Sequence, residues 1–178
     1  MILLLTALPS VRTGRSNRFG SSFAREMVTP QEIVIVDYSP QYRRELVAMW
    51  RESFEQAVMV IDPHSLDEQL RYLEEKVIPE NHVRVVLERD TSAVIAFMAS
   101  TEDRISQLYV HTKHQNKGIG SALVKIAKQN SRGRLRLATF KANENAQRFY
   151  EQHEFRIVSR GFEKEWQLED IEYEWSAS

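Results

Sequence analysis

The stretch that decides the fold covers residues 110–130 and reads VHTKHQNKGIGSALVKIAKQN. From Ile119 to Ala127, apolar residues recur every three or four positions, which predicts an amphipathic helix. The apolar run before it, 105–110, predicts a strand, and a polar loop from Gln115 to Gly120 joins the two. A helix start has N–H groups without carbonyl partners and a dipole that favours anions, and glycine lets an anion come close. The stretch therefore predicts a phosphate-binding loop, with a plain loop before a core helix as the alternative.

Two familiar phosphate-binding patterns do not fit this loop. No Gly-Lys-Ser/Thr follows it at the spacing of a Walker motif. Leu123 stands where the dinucleotide fingerprint would have its third glycine. A second motif elsewhere in the chain is needed to assign the loop.

Composition limits the classes of protein that the chain can belong to. The 178 residues suffice for one domain with a buried core, and 42% hydrophobic residues with a net charge of -1 indicate a globular protein. This charge argues against a nucleic-acid partner, and no run of about 18 apolar residues predicts a membrane span. The absence of cysteine excludes disulfides, thiolate zinc sites and a cysteine acyl-enzyme. We expect a cytoplasmic protein without a metal, and a homodimer is one option for its assembly.

Residues 1–29 differ from the remainder, 30–178, which carries the predicted domain. Their arginines accompany serines, with no acid before Glu26. Three interpretations stay open: a disordered extension before a functional start at Met27, a transit peptide, and a cleaved secretory signal.

Periodicity predicts the other elements of the chain. Strands are predicted over 33–36, 83–87, 93–99, 134–140, 155–159 and 171–175, and helices after Ser39-Pro40, from Ser65 to Pro79 and over 143–153. Turn-rich breaks predict an antiparallel meander for the strands before the glycine loop. The strand, helix and strand around that loop predict a right-handed parallel unit.

The second predicted helix begins with a capping-box sequence, Ser65-Leu66-Asp67-Glu68. Its predicted apolar stripe is Leu66, Leu70, Leu73 and Val77, and Pro79 is expected to end it. The loop before it carries Asp62, Pro63 and His64, and is either a substrate wall or an ordinary connector.

A second motif lies at residues 141–155, which read KANENAQRFYEQHEF. Its pattern resembles the sequence Asn-x-x-Ala-x-x-Phe-Tyr-Glu-x-x-Gly-Phe of the GNAT acetyltransferase superfamily. The matching residues are Asn143, Ala146, Phe149, Tyr150 and Phe155. The glycine loop resembles the pyrophosphate loop of the same family, Gln/Arg-x-x-Gly-x-Gly/Ala. Both motifs stand in the family's order, so about 32–175 of the chain resembles GNAT proteins, including uncharacterised bacterial ones.

The chain departs from the family pattern at two positions. Thr112 stands where proline is common after the fourth strand, and Glu154 replaces the glycine before Phe155. Because a residue other than glycine resists positive φ, we expect Glu154 to alter the turn after the helix.

The resemblance implies an α/β (α+β) GNAT fold. Its mixed, mainly antiparallel sheet of six to seven strands would be splayed between the fourth and fifth strands and flanked by about four helices. Acetyl-CoA, the acetyl donor, would bind in the opening, with its pantetheine amides on the fourth strand and its pyrophosphate on the glycine loop. The implied cofactor-binding residues are Leu108, Val110, Gln115, Asn116, Lys117, Gly118, Ile119, Gly120, Ser121 and Asn143.

The resemblance further implies an acetyl-CoA-dependent N-acetyltransferase that transfers acetyl directly to a primary amine of a small molecule or peptide. Tyr150 would protonate the leaving thiolate, although a core tyrosine is the alternative, and the Val110 N–H would stabilise the carbonyl oxygen. Glu102 and Asp103 are either candidate bases acting through water or parts of a solvated turn, and catalysis without a base is a further option. The alternative function is a non-catalytic module that binds acyl-CoA.

Three other charged groups have simpler interpretations. His111 and His114 are expected to face solvent rather than to bind a metal. A basic cluster is either solvated or in contact with the 3′-phosphate of the cofactor; it consists of Lys128, Arg132, Arg134 and Arg136. The acidic residues of 170–175 would either meet a cationic amine or lie on an exposed strand end.

Overall fold

The computed structural model describes residues 32–177, so the interpretations of residues 1–29 lie outside it. The strands are β1 (Ile33–Asp37), β2 (His82–Glu88), β3 (Val94–Ser100), β4 (Ile105–Val110), β5 (Arg134–Phe140), β6 (Arg156–Glu163) and β7 (Leu168–Ser176). The helices are α1 (Arg43–Val58), α2 (Leu66–Tyr72), α3 (Ile78–Glu80), α4 (Ile119–Asn130) and α5 (Glu144–Gln152). No helix within this range is long and apolar enough to cross a membrane.

The strands form two antiparallel sheets that meet at β4 and β5. One sheet has the order β1-β2-β3-β4 and the other the order β5-β7-β6. The edges of β4 and β5 run parallel and are joined by a bridge between Arg104 and Arg136, where Arg136 N–H donates to Asp103 O at 2.8 Å. Beyond this bridge the described chain has no further pairing between β4 and β5, and the two strands separate toward their carboxyl ends. The predicted mixed fold, splayed between the fourth and fifth strands, is confirmed.

Two hydrophobic cores hold the helices against opposite faces of the sheets. α1 and the helix after it cover one face, and α4 and α5 cover the other. Successive strand residues point to opposite faces, so β4 contributes to both cores. Leu108 and Val110 lie in the core under α4, whereas Tyr109 lies in the core under α1. This alternation fixes which side chains of β4 lie on each side of the split.

The capping box at Ser65 is confirmed, but the predicted end of that helix is wrong. Ser65 Oγ accepts from the Glu68 N–H at 3.2 Å, and the Glu68 carboxylate accepts from the Ser65 N–H at 2.7 Å. The helix then passes through a π-helical turn, Leu73–Val77, into α3. The N–H of Ile78 donates to the carbonyl five residues back, and this wider turn admits Pro79, which has no N–H to donate.

The predicted apolar stripe of this helix is also partly wrong. Leu66 is 49% exposed, while the polar Gln69 is buried. Gln69 has a polar partner, because its Oε1 accepts from Arg51 Nε at 3.1 Å. A paired amide can therefore occupy the buried side near the start of the helix.

The expected change in the turn after α5 does not occur. Glu154 adopts a left-handed φ of 63°, the conformation that a glycine would have at this position of the turn. Lys128 stabilises this conformation, since its Nζ donates to His153 O at 2.7 Å and to Glu154 Oε2 at 3.2 Å. The backbone cost of a non-glycine residue here is about 1 kcal/mol, comparable to what such contacts contribute.

Candidate functional site

The open edge of β4 presents backbone groups to the split. Val110 and Ala96 form a non-hydrogen-bonded pair, because the N–H of His111 donates to Ile95 O at 2.8 Å. The N–H of Val110 therefore points away from β3 and toward β5. Leu108, two residues earlier, has the same orientation. These are the strand positions at which the sequence predicted pairing with an extended ligand.

The glycine loop folds back onto the end of β4. Gln115 is buried, and its Nε2 donates to Val110 O at 2.9 Å. Asn116 and Gly118 both have left-handed backbones, with φ of 59° and 82°. A Cβ added at Gly118 would meet nothing within 4 Å, so this glycine is required by its φ and not by close packing. The two left-handed residues reverse the chain and start α4 beside the split.

The first turn of α4 has N–H groups available for an anion. Within the described chain, the first N–H of this helix to reach a backbone carbonyl is that of Ala122, which donates to Gly118 O at 3.0 Å. The N–H groups of Ile119, Gly120 and Ser121 precede it and point out of the helix end. No acidic side chain lies in this first turn. The loop and helix start thus present N–H groups without an acidic side chain in that first turn, which suits an anion, and the predicted phosphate site stays a prediction.

Asn143 lies on the opposite wall and begins α5. Its N–H donates to Phe140 O at 3.0 Å, and its Oδ1 accepts from the Ala146 N–H at 3.1 Å, so the side chain caps the helix. The residue is 2% exposed, and its Nδ2 has no hydrogen-bond partner within residues 32–177. A buried amide donor without an acceptor is costly, which makes it a candidate to bind a ligand.

Tyr150 follows two helical turns later on the same face of α5. It is fully buried, and its hydroxyl has no hydrogen-bond partner in the described part of the chain. Its ring packs on those of Phe155 and Tyr173, with centroids 5.7 Å and 6.1 Å away. Burial, and next the neighbouring Tyr109, hold the pKa of Tyr150 well above its usual value. Tyr150 therefore has features of both interpretations: its ring is part of the core, as in a core tyrosine, and its unpaired hydroxyl is available as a general acid.

Glu102 and Asp103, the candidate bases, lie at the closed end of the split. Glu102 pairs with Arg132, and a hydrogen bond from Thr101 Oγ1 lowers the pKa of Asp103. The bridge between β4 and β5 stands next to them. Both carboxylates are therefore bound to other groups at the closed end of the split.

The basic cluster makes contacts within the chain. Arg136 Nε donates to Glu174 Oε2 at 2.7 Å, and Lys128 Nζ lies 4.6 Å from the centre of the Trp175 ring. Arg132 pairs with Glu102, as above. These contacts favour a structural role for the cluster.

The two loop histidines are less exposed than the sequence predicted. Their side chains are only 18% and 19% exposed, and the rings of His111 and His114 lie 5.8 Å apart. Burial lowers the pKa of His114, and the Lys117 charge lowers it further. No group of three His, Asp or Glu side chains in residues 32–177 is placed to hold a metal ion.

A cavity of about 320 Å³ lies beside the split, on the α1 side of the sheet. Tyr109 of β4 and Phe140 of β5 line it, so it borders both diverging strands. The other lining residues are Trp50, Phe54, Asp62, His64, Glu68, Gln69, Tyr72, Glu163, Glu165 and Trp166. Asp62 and His64 belong to the loop whose role the sequence left open, and their position favours the interpretation as a substrate wall.

Several cavity residues could not be identified from the sequence. Glu163 and Trp166 come from the end of β6 and the turn before β7, whereas Asp62 is about a hundred positions earlier. The only local signal was a tryptophan in a turn of charged residues, 163–167. The sequence does not show which distant loop this turn meets.

The segment that carries these residues matches a family model, and the fold recurs in solved structures. Residues 80–157 match the family model of the acetyltransferase (GNAT) domain. The apo form of YjaB from Escherichia coli has 19% identity and a TM-score of 0.67, covering 82% of this chain and 99% of its own. An acetyltransferase from Thermus thermophilus has 19% identity and a TM-score of 0.64, covering 82% and 97%.

A further structure of this fold contains a cofactor. It is yncA of Salmonella typhimurium, solved with its cofactor acetyl-CoA, with 15% identity and a TM-score of 0.61 over 83% of this chain and 95% of its own. No curated protein shows significant sequence similarity to the chain. At these identities the structures show the fold alone, and the family model covers the segment that holds β4, the glycine loop, α4 and α5. Residues 80–157 are therefore similar to the GNAT acetyltransferase domain, within a chain that has the GNAT fold.

Proposed function

We propose that this chain is an acetyl-CoA-dependent N-acetyltransferase that transfers the acetyl group directly to a primary amine. The observation that carries the proposal is the split itself. One wall offers the backbone of Leu108 and Val110 and the N–H groups at the start of α4, and the other wall offers two buried polar atoms of α5, Asn143 Nδ2 and Tyr150 OH. The acetyl-CoA complex of the similarly folded yncA supports the same choice of cofactor.

The residues of the split fit the parts of acetyl-CoA. An edge strand whose backbone N–H groups face the split suits an extended chain of amides such as pantetheine. The helix start after Gly118 suits a diphosphate. Asn143 Nδ2 and Tyr150 OH are buried donors without acceptors, and a thioester offers acceptor atoms to such donors.

Two groups of the chain are suited to the transfer step. Acetyl-CoA, when bound, supplies a thioester carbonyl that a neutral amine can attack. The Val110 N–H faces the split and would stabilise the negative charge that develops on the carbonyl oxygen. The Tyr150 hydroxyl keeps its proton because burial raises its pKa, and it would donate this proton to the leaving sulfur. The attacking nitrogen would lose one proton as the amide forms, and that proton would return to Tyr150 through water.

The acceptor amine would enter from the cavity on the α1 side. Tyr109 and Phe140 separate this cavity from the core under α4 and α5, and both stand on the strands that diverge. The amine would thus approach the carbonyl from the side opposite the α4 helix. No covalent enzyme intermediate is needed for this route.

The proposal is tested by release of coenzyme A thiol from acetyl-CoA in the presence of a panel of amines. We expect amine-dependent release together with binding of acetyl-CoA in calorimetry. Binding without release for every amine would favour the non-catalytic module instead, and no binding would reject both.

A charge-reversal pair tests the position of the diphosphate. Lys117→Glu puts a negative charge in the loop before α4 and should raise the Kd for acetyl-CoA about tenfold, the equivalent of roughly 1.4 kcal/mol. Lys125→Glu makes the same charge change on the exposed side of α4 and is the matched control. Equal effects of the two variants would contradict a diphosphate at the helix start.

A further inference from the structure

The cavity beside the split is strongly acidic. Four carboxylates line it, those of Asp62, Glu68, Glu163 and Glu165, and no lysine or arginine is among the described residues that do so. Arg51 lies behind this wall and is not among the lining residues; its guanidinium donates to His64 O and to Gln69 Oε1. The charge that a ligand meets in this cavity is therefore negative.

Two of these carboxylates are fixed by one histidine. Asp62 is only 7% exposed at its side chain, and its Oδ1 accepts from the His64 N–H at 2.9 Å and lies 2.9 Å from His64 Nδ1. On the other side, His64 Nε2 lies 3.3 Å from Glu165 Oε1. The imidazole thus links the α1–α2 loop to the turn between β6 and β7. One histidine can balance at most one of the two charges, so the cluster stays anionic.

Aromatic rings form the rest of the wall. Trp166 packs on Phe54 with ring centroids 4.5 Å apart, and on His64 with centroids 5.8 Å apart. Trp50 lies 6.3 Å from Tyr72 and 5.8 Å from Tyr109. Aromatic faces attract cations, most strongly when the site is shielded from water. Carboxylates and aromatic faces together are the groups that recognise an ammonium or guanidinium ion.

We infer that the acceptor is a small aliphatic amine with a second cationic group, and that this second group binds against the Trp166 ring beside Glu165, within the negative field that the buried Asp62 reinforces. The amine to be acetylated would lie at the other end of the cavity, near Tyr109 and the split. This inference rests on the proposed function. A volume of about 320 Å³ is at the small end for ligand pockets, which suits a short diamine.

The first test compares three acceptors of similar length: cadaverine, pentylamine and δ-aminovalerate. They differ at the far end, which is cationic, apolar or anionic. We expect kcat/KM for cadaverine to exceed that for pentylamine by about tenfold or more, with δ-aminovalerate the poorest. Equal kcat/KM for cadaverine and pentylamine would overturn the inference while leaving the acetyltransferase function intact.

Variants locate the second charge. Glu165→Gln removes a carboxylate without changing its shape, and Trp166→Leu removes the ring but keeps an apolar side chain. Each should lower the ratio of kcat/KM for cadaverine to that for pentylamine severalfold. Glu75→Gln, which removes one charge from an exposed position outside the cavity, is the matched control and should keep the ratio. A ratio that survives both cavity variants would place the second charge elsewhere.

A binding measurement separates this inference from the proposed function. Calorimetric titration of cadaverine into the full chain needs no turnover, and we expect binding that weakens in Glu165→Gln and Trp166→Leu. If no amine releases thiol and cadaverine still binds in this way, the cation site stands and the transferase function fails. If cadaverine does not bind with or without acetyl-CoA, the cation site is rejected.

Discussion

Replacing Tyr150 with phenylalanine should increase stability and reduce turnover. The hydroxyl is fully buried and has no hydrogen-bond partner in residues 32–177, while the ring packs against Phe155 and Tyr173. Tyr150→Phe keeps the ring and removes only the oxygen. A tyrosine whose hydroxyl served the fold alone would behave in the opposite way, because that hydroxyl would have a partner to lose.

The expected magnitudes follow from this burial. Burying an unpartnered polar group costs about 1–3 kcal/mol, so removal of the hydroxyl should raise the free energy of unfolding by up to that amount. A general acid contributes about a hundredfold to ten-thousandfold to the rate, so kcat should fall within that range if Tyr150 protonates the leaving sulfur. The Kd for acetyl-CoA should change little.

Tyr173→Phe is the matched control. Tyr173 is also a buried tyrosine, but its hydroxyl donates to Glu151 Oε1 at 3.2 Å, and burial raises the pKa of Tyr173 to about 12. Its removal should lower stability by about 1 kcal/mol and leave kcat unchanged. Urea unfolding and single-turnover thiol release measure the two effects. A Tyr150→Phe protein that is less stable than wild type, or that transfers acetyl at the wild-type rate in a single turnover, would refute the reasoning.

Two further predictions concern the end of α5. Glu154→Gly should stabilise the chain by about 0.5–1 kcal/mol in urea unfolding, because a φ of 63° costs glycine nothing; a loss of stability would show that the contact with Lys128 outweighs the backbone strain. Burial, and next Lys128, lower the pKa of His153, whose Nε2 lies 3.0 Å from Ser121 Oγ. On acidification His153 is therefore protonated in the unfolded chain before it is protonated in the folded chain. Its contribution to the free energy of unfolding is fully present above about pH 6.5 and is lost as the pH falls through the folded-state pKa. Between about pH 7.5 and about pH 5.5, the free energy of unfolding should fall more steeply with pH for wild type than for His153→Gln. Equal slopes for the two proteins would contradict the assignment.

The walls of the proposed cation site come from separate segments of the chain. These segments are the loop before α2 and the turn between β6 and β7, which are joined through His64. Glu68 adds a carboxylate whose pKa is lowered by the hydrogen bonds of the Ser65 cap, so it stays charged. In the proposed site, Glu68 would therefore serve both the bound cation and the cap of α2.

Local features of the sequence were enough to predict most of the fold. The strands, the helix starts at Ser65 and Asn143, and the glycine loop depend on near neighbours in the chain, and the structure has each of them. Hydrophobic periodicity and capping act over a few residues, which a sequence records directly. Two short motifs in fixed order then indicated the splayed sheet.

Other features were decided by contacts between distant segments. The sequence predicted that Pro79 would end its helix and that Glu154 would disturb its turn. Instead, a π turn accommodates the missing N–H of Pro79, and hydrogen bonds from Lys128 stabilise the positive φ of Glu154. It assigned possible bases to residues that the structure holds at the closed end of the split.

The cavity shows most clearly what the tertiary structure alone determines. Asp62 and Glu165 are about a hundred residues apart, and each by itself is an ordinary loop carboxylate. They line one cavity only because two loops meet through His64 beside the split. Coulombic and aromatic attraction depend on distances of a few ångströms between side chains, and the chain order does not contain those distances. The sequence therefore predicted the proposed site for the cofactor, and only the fold brings together the residues proposed to bind the acceptor.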